Sequence, residues 1–364
     1  MHFGPFGIPN SQEGAMEKVR WGVIGAGGIA DRRTIPGMQK ARFAELIAVM
    51  SRTRESTDRV AEKYRVPKRY YSEEDLLADP EVEAVYIATP VYLHRPQTVA
   101  AAQAGKHILL EKPLARNASE AEEIVQAVRD IGVKAIEGYM MKFHPLHKRA
   151  KELIEEGRLG RPVLGRTQLS CWYPDIPGTW RQDPEQGGGG SLIDMATHCY
   201  DLLRWFLGRI VQVAAFVNTQ IFQYPVEDSA TTLLLFEGGA HGMVDTFFNI
   251  PDAAGKDRLE LYGDRGSLLA EGTIGQTGGG EMTAYLSKEV RPYDPLQDKA
   301  PPDLLVEPVQ AEPADLYAAE VDYLSQCILE DREPEINTLE DGLGIIRVVE
   351  AAYESARTGR AVEV

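Results

Sequence analysis

Two short segments carry side chains that handle charge and protons. In ILLEKPLA, Glu111, Lys112 and Pro113 follow a strand-like run, and ligands of open α/β sheets bind in the crevice outside the carboxyl ends of the strands. In GGGGSLIDMATHCYD, Asp194 and His198 stand four residues apart, a spacing that puts both on one face of a helix. A third segment offers another chemistry. The run VRWGVIGAGGIA holds Gly25, Gly27 and Ala30 in the G-x-G-x-x-(G/A) spacing, at the end of a strand-like run and the start of a helix-like one. In that setting the first glycine makes the tight turn and the second lets the backbone approach a pyrophosphate. The small third residue lets helix and strand pack closely. Free N–H groups at the helix start then face the phosphates. The spacing predicts a dinucleotide site on Gly25, Gly27, Gly28, Ile29 and Ala30.

The end of the second strand bears on which dinucleotide is bound. Ser51, Arg52, Thr53 and Arg54 stand where an NAD site usually places a carboxylate. Hydroxyl and guanidinium groups suit a 2′-phosphate, so Ser51, Arg52 and Arg54 favour NADP over NAD. The competing reading is a solvated basic turn.

These groups need a scaffold, and the pattern supplies one. From Val19 to about Tyr139, short β-branched runs (RWGVIG, ELIAVMS, EAVYIAT, HILLEK, KAIEGY) alternate with helical stretches, which predicts a parallel sheet with helices on both faces. After a helix near Leu146 to Glu156, long period-two stretches appear, among them VLGRTQLSCWY, VQVAAFVNTQIF, SATTLLLFEG, AHGMVDTFFNI and RLELYGD. They predict an antiparallel sheet with one covered face. Gly272 to Pro302 reads as loop, and two helices close the chain. The fold class is thus an α/β Rossmann domain followed by an α+β domain with a large, mostly antiparallel open sheet. The divisions are 1–18 as a flexible leader, 19–140 and 141–364, the C-terminal helix being placed to pack back on the first domain.

A formal net charge of −16 argues against nucleic acid or an anionic membrane surface as partner. No apolar run is long enough to cross a bilayer. Cys171, Cys199 and Cys327 are too few and too scattered for a disulfide framework, which points to a reducing, cytoplasmic setting.

Taken together, GAGGIA, ATPVYLH, AGKHILLEKPLA, GGGSLIDMATHCYD and the final EAAYESARTGRAVEV resemble, in order, the motifs of the Gfo/Idh/MocA oxidoreductases. The resemblance implies hydride exchange between a nicotinamide cofactor and a hydroxyl or ketone carbon of a sugar or cyclitol. It maps the catalytic set onto Lys112, Asp194 and His198, with Ala196 and Thr197 standing where glycine is common. It also implies cofactor contacts at Thr89, Pro90, His94, Glu111 and Lys112, and a homodimer or homotetramer. The residue types suit the roles. A neutral imidazole can take the hydroxyl proton, and an ammonium can stabilise the oxygen left behind. His198 is therefore expected as general base, Lys112 as alkoxide stabiliser and Asp194 as positioning group, with the first two able to exchange roles.

Bland alternatives stay open. Ser191 and Asp194 match an [ST]-x-x-[DE] cap, so Asp194 could serve only its helix, and His198 could be a core histidine. A metal is not expected, because Asp194 and His198 lack a third ligand; His144 and His147 read as structural. Tyr92, Tyr139, Lys142, Trp180 and Arg181 are expected beside Asp194 and His198 as substrate liners. Gly187 to Gly190 are expected to permit close backbone approach. Two rival functions are an NAD-dependent glycosidase of the same fold and a non-catalytic nucleotide sensor.

Overall fold

In the computed structural model, residues 17–290, 293–297 and 303–364 are described; the leader expected over 1–18 lies outside them but for its last two residues. Six parallel strands form the first sheet: β1 (Val19–Ile24), β2 (Ala44–Met50), β3 (Lys68–Tyr70), β4 (Ala84–Ile87), β5 (His107–Leu110) and β6 (Ala135–Glu137). Their order, β3-β2-β1-β4-β5-β6, is that of a doubly wound dinucleotide fold. Of these, β3 escaped the sequence pattern, since three residues are too few to show a period. The register fixes where chemistry can occur. Ile24 pairs with Met50 and Ile87, Ile87 with Leu110, and Leu110 with Glu137. The strands therefore stop level, and Gly25, Ser51, Thr89, Lys112 and Tyr139 all follow on one edge.

The second sheet holds β7 (Pro162–Ser170), β8 (Ile210–Asn218), β9 (Ser229–Phe236), β10 (His241–Phe247), β11 (Arg258–Gly263), β12 (Gly266–Glu271), β13 (Glu281–Leu286), β14 (Leu305–Pro308) and β15 (Val362–Glu363). Every neighbouring pair is antiparallel except β7 with β10. The loop expected from Gly272 to Pro302 is corrected by β13, whose Met282, Ala284 and Leu286 are buried on one face. The glycines before that strand hid its alternation. One face of the sheet is covered by the helix Thr197–Leu207. It lies so close that a Cβ on Gly165 of β7 would stand 2.7 Å from Leu207 and 2.8 Å from Leu203.

The two C-terminal helices join the layers. Val321, Leu324 and Cys327 of Leu316–Leu329 pack on one face of the Rossmann sheet, and Trp21 donates its indole N–H to Ser325 at 3.0 Å. Leu339 and Ile346 of Leu339–Thr358 pack on the other face, while Ile345, Val348 and Ala352 enter the core of the second sheet. The two sheets are thus braced together by helices that pack into the cores of both.

Candidate active site

The glycine turn has the shape its spacing implies. Gly25 has φ +86°, and a Cβ there would stand 2.7 Å from the Ala88 carbonyl oxygen. Nothing lies within 4 Å of where a Cβ on Gly27 or Gly28 would be, so the space before the helix is open to a ligand's phosphates. Ala30 is fully buried beneath it. At the end of β2, Ser51 is buried and its hydroxyl has no hydrogen-bond partner among the described residues. Arg52 is exposed. The Arg54 guanidinium lies 3.6 Å from the centre of the Tyr71 ring, and Tyr71 donates to Asp58 at 2.9 Å.

His94 turns out to hold the scaffold. Its Nδ1 is 2.9 Å from the Pro113 carbonyl and its Nε2 3.0 Å from the Thr89 carbonyl. Burial lowers its pKa to about 4 against the pull of both carbonyls. The neutral ring carries one N–H, so it donates to one of these carbonyls while its other nitrogen lies against the second, between the Thr89–Pro90 and Lys112–Pro113 turns. Glu111 is likewise internal. It accepts from the Tyr86 hydroxyl and the Lys112 N–H, and burial raises its pKa.

The second sheet brings the rest. Lys112 Nζ donates to the Asp194 carbonyl at 2.6 Å and to Asp194 Oδ1 at 3.0 Å. Arg181 Nε approaches the same Oδ1 at 3.4 Å. Burial alone would raise the Asp194 carboxyl, but the charges of Lys112 and Arg181 outweigh it and hold the group well below the usual carboxylate range. His198 follows after a π-type turn, Leu192–Ala196. Burial first, and then the Lys112 charge, push its pKa well below the usual value. Its Nδ1 is buried without a partner among the described residues, and Tyr139 packs edge-on against the ring with centroids 5.7 Å apart. The carboxylate thus positions the lysine rather than the imidazole.

The capping alternative for Asp194 is overturned. Ser191 makes no side-chain cap. Glu227 Oε1 instead accepts from the Gly190 and Leu192 N–H groups, each at 2.9 Å, and the Glu227 carbonyl accepts from Ser191 at 3.1 Å. This also explains the glycine run. A Cβ on Gly190 would collide with the Glu227 carbonyl oxygen and one on Gly189 with the Tyr353 hydroxyl.

Among the expected liners, Arg181 reaches Asp194, with its guanidinium 4.2 Å from the Trp180 ring centre. Tyr92 is exposed on the turn Val91–Leu93. Lys142 corrects its expectation: its ammonium pairs with Asp201 at 2.6 Å in the interior, both side chains almost wholly buried. Its neighbours on the chain explain this, because Met140, Met141 and Phe143 are all core. His144 and His147 are structural, their ring nitrogens facing Gly279, Leu146, Met141 and Thr273. Among the described residues no group of three metal-ligating side chains comes together.

Three site residues lie outside the sequence reading. Cys171 sets its Sγ 3.8 Å from Met195 Sδ beside Asp194, and burial pushes its thiol up to about 12. Tyr173 shares a 3.0 Å hydrogen bond with Thr179 in the loop that leads to Arg181. Both continue the alternating face of β7, a signal the sequence does carry. Glu227 is a loop carboxylate followed directly by Asp228, and no spacing marks it.

Residues 19–139 match the NAD-binding Rossmann fold of the oxidoreductase family, and residues 147–269 match the GFO/IDH/MocA C-terminal domain. The chain belongs to the Gfo/Idh/MocA family. Relatives within it include a 1,5-anhydro-D-fructose reductase of Ensifer adhaerens, 31% identical over 95% of this chain and 98% of the relative. A D-xylose 1-dehydrogenase (NADP(+)) of Haloferax volcanii is 31% identical over 94% of this chain and 99% of that one. Among solved structures, the aldose-aldose oxidoreductase of Caulobacter crescentus superposes with a TM-score of 0.85 at 30% identity, covering 96% of this chain and all of that one. The Gfo/Idh/MocA protein described here is an oxidoreductase. None of its described helices is long and apolar enough to cross a membrane.

Proposed function

We propose that the protein is an NADP-preferring dehydrogenase or reductase working at a hydroxyl or ketone carbon of a sugar, sugar derivative or cyclitol. The observation that carries this reading is the Lys112–Asp194 contact. It joins the strand edge of the Rossmann sheet to the helix of the second domain, at the crevice where ligands of this fold bind. The names of the sugar-acting relatives support the substrate class.

The chain fits the cofactor. The turn Gly25–Ala30 leaves room for a pyrophosphate beside open glycines, and the orphaned Ser51 hydroxyl with Arg52 and Arg54 would hold the ribose end. Thr89 and Pro90 follow β4 on the same edge. Bound there, a nicotinamide dinucleotide supplies the hydride acceptor or donor. The protein supplies the proton chemistry. His198 is uncharged at neutral pH and so can accept a hydroxyl proton. Lys112, held by Asp194, can donate a hydrogen bond to the oxygen as negative charge develops. Arg181 and Trp180 offer a donor and an apolar ring to the rest of the substrate.

A cytoplasmic setting fits the three free cysteines. A homodimer or homotetramer fits the uncovered sheet face, where Phe216 is 83% and Leu233 55% exposed. Light scattering on a Phe216→Ser/Leu233→Ser double variant tests that arrangement, with a fall in mass expected.

The function is tested by following the reduced-nicotinamide absorbance with NADP or NAD and a panel of sugars, sugar acids and inositols. Turnover is expected, faster with NADP. Release of sugar from glycosides with no net absorbance change would replace this reading with the glycosidase.

A further inference from the structure

We propose that Glu227 is a positioning residue for the catalytic helix, acting as an N-cap supplied from another part of the chain; the proposal rests on the oxidoreductase reading of the Lys112–Asp194–His198 site. A helix start leaves several N–H groups without intrahelical acceptors, and inside a protein they need partners. The helix that carries Asp194 and His198 begins in the interior, and the residue at its cap position, Ser191, gives none of them a side-chain bond. Glu227 answers for three consecutive N–H groups at the helix start. Its Oε1 accepts from Gly190 and Leu192, and its carbonyl accepts from Ser191. A carboxylate at that end also meets the positive end of the helix dipole.

The same oxygen receives the Tyr353 hydroxyl at 3.0 Å, and Tyr353 lies on the C-terminal helix that braces both sheets. Glycines at 189 and 190 let these groups come that close. The start of the catalytic helix is therefore pinned from outside, at Leu192, two residues before Asp194. Both acceptors of Lys112, the Asp194 carbonyl and its Oδ1, ride on this first turn. A slip of the turn would loosen the lysine while the glycine turn of the dinucleotide site stays in place.

The test compares Glu227→Ala, Glu227→Gln and Tyr353→Phe with the wild type and with Leu268→Ala, a core variant in the second sheet that controls for lost stability. For Glu227→Ala, kcat should fall roughly tenfold to a hundredfold, the scale of a misplaced catalytic group, with dinucleotide affinity unchanged. Glu227→Gln keeps an acceptor and should recover much of the rate; Tyr353→Phe should fall between. A second readout needs no substrate. Acetylation of Lys112, followed by mass spectrometry, should be slow in the wild type and in Leu268→Ala and faster in Glu227→Ala. Unchanged kcat and unchanged Lys112 labelling in Glu227→Ala would overturn the proposal, as would equal losses in Leu268→Ala. If no sugar is turned over by the wild type, the functional reading fails while the labelling still decides this one.

Discussion

Lys112 reaches Asp194 twice, through the main-chain carbonyl at 2.6 Å and through the carboxylate at 3.0 Å. Lys112 follows a strand of the first sheet and Asp194 sits on the helical turn Leu192–Ala196 that leads into the helix packed on the second sheet, so the ammonium is aimed only while these two elements hold their relative places. Neutralising the carboxylate removes half of that grip. Asp194→Asn is expected to lower kcat by about a hundredfold, within the range for lost acid–base and charge-stabilising groups. Lys112→Ala should abolish turnover while dinucleotide affinity, measured by fluorescence titration, stays near wild type. Full activity in either variant would remove the catalytic assignment.

As the proposed base, His198 should set the acid limb of the rate. Burial and the neighbouring lysine disfavour its charged form, so it stays a proton acceptor at pH values where an ordinary histidine, near about 6.5, would already be protonated. In the oxidative direction kcat/KM should therefore hold its plateau below the ordinary histidine value and fall only in more acid solution. A limb at or above the ordinary histidine value would assign the base elsewhere.

How much of this was legible in the chain follows from how each signal is encoded. The glycine turn, Lys112, Asp194 and His198 are local patterns, and their spacing with the strand period placed them on one edge and one helix face. The open second sheet was visible for the same reason, through alternation in β7 to β11. What escaped was long-range or too short. Glu227 caps a helix that starts 35 residues earlier in the chain, at Leu192, and no local pattern encodes such a partner. Lys142 looked like a pocket residue because it is charged, and only packing reveals the buried Asp201 that claims it. His94 carried a motif likeness but lies buried between two backbone turns, with a carbonyl beside each ring nitrogen.

Cofactor choice should turn on Arg54. Its guanidinium is already parked on Tyr71, which Asp58 holds in turn, so little ordering remains when a 2′-phosphate arrives. A hydrogen bond to a charged group contributes about 1.5–3 kcal/mol. Arg54→Ala should accordingly cut kcat/KM for NADP roughly tenfold to a hundredfold and leave NAD nearly untouched. Equal loss with both cofactors would make Arg54 a general support of the turn.

Acid stability should carry the mark of His147. Burial lowers its pKa to about 3, below the unfolded value near 6.5. The neutral ring thus contributes stability that is complete above that unfolded value and is lost as pH falls toward 3. Between pH 7 and pH 4 the loss is about 3 kcal/mol. Buried Glu137 and Glu320, whose pKa values are raised, work in the opposite sense, so the informative quantity is a difference. Urea unfolding of wild type and His147→Gln at both pH values should show the variant losing less on acidification. Parallel curves would mean that the imidazole takes up its proton without leaving the fold.

The Lys142–Asp201 pair offers the sharpest contrast between a structural and a substrate role. The two charges meet at 2.6 Å with almost no solvent contact, and Lys142 also lies within electrostatic reach of Glu137. Removing the lysine leaves Asp201 buried without its cation, which typically costs about 3–5 kcal/mol. Lys142→Met should therefore lower the urea midpoint sharply, while kcat and KM of the folded fraction barely move. Replacing both partners, Lys142→Met with Asp201→Leu, should restore most of the stability, because the unpaired charge and not the lost contact dominates the penalty. A stable Lys142→Met protein with a raised KM would reverse the assignment and return the lysine to the substrate pocket.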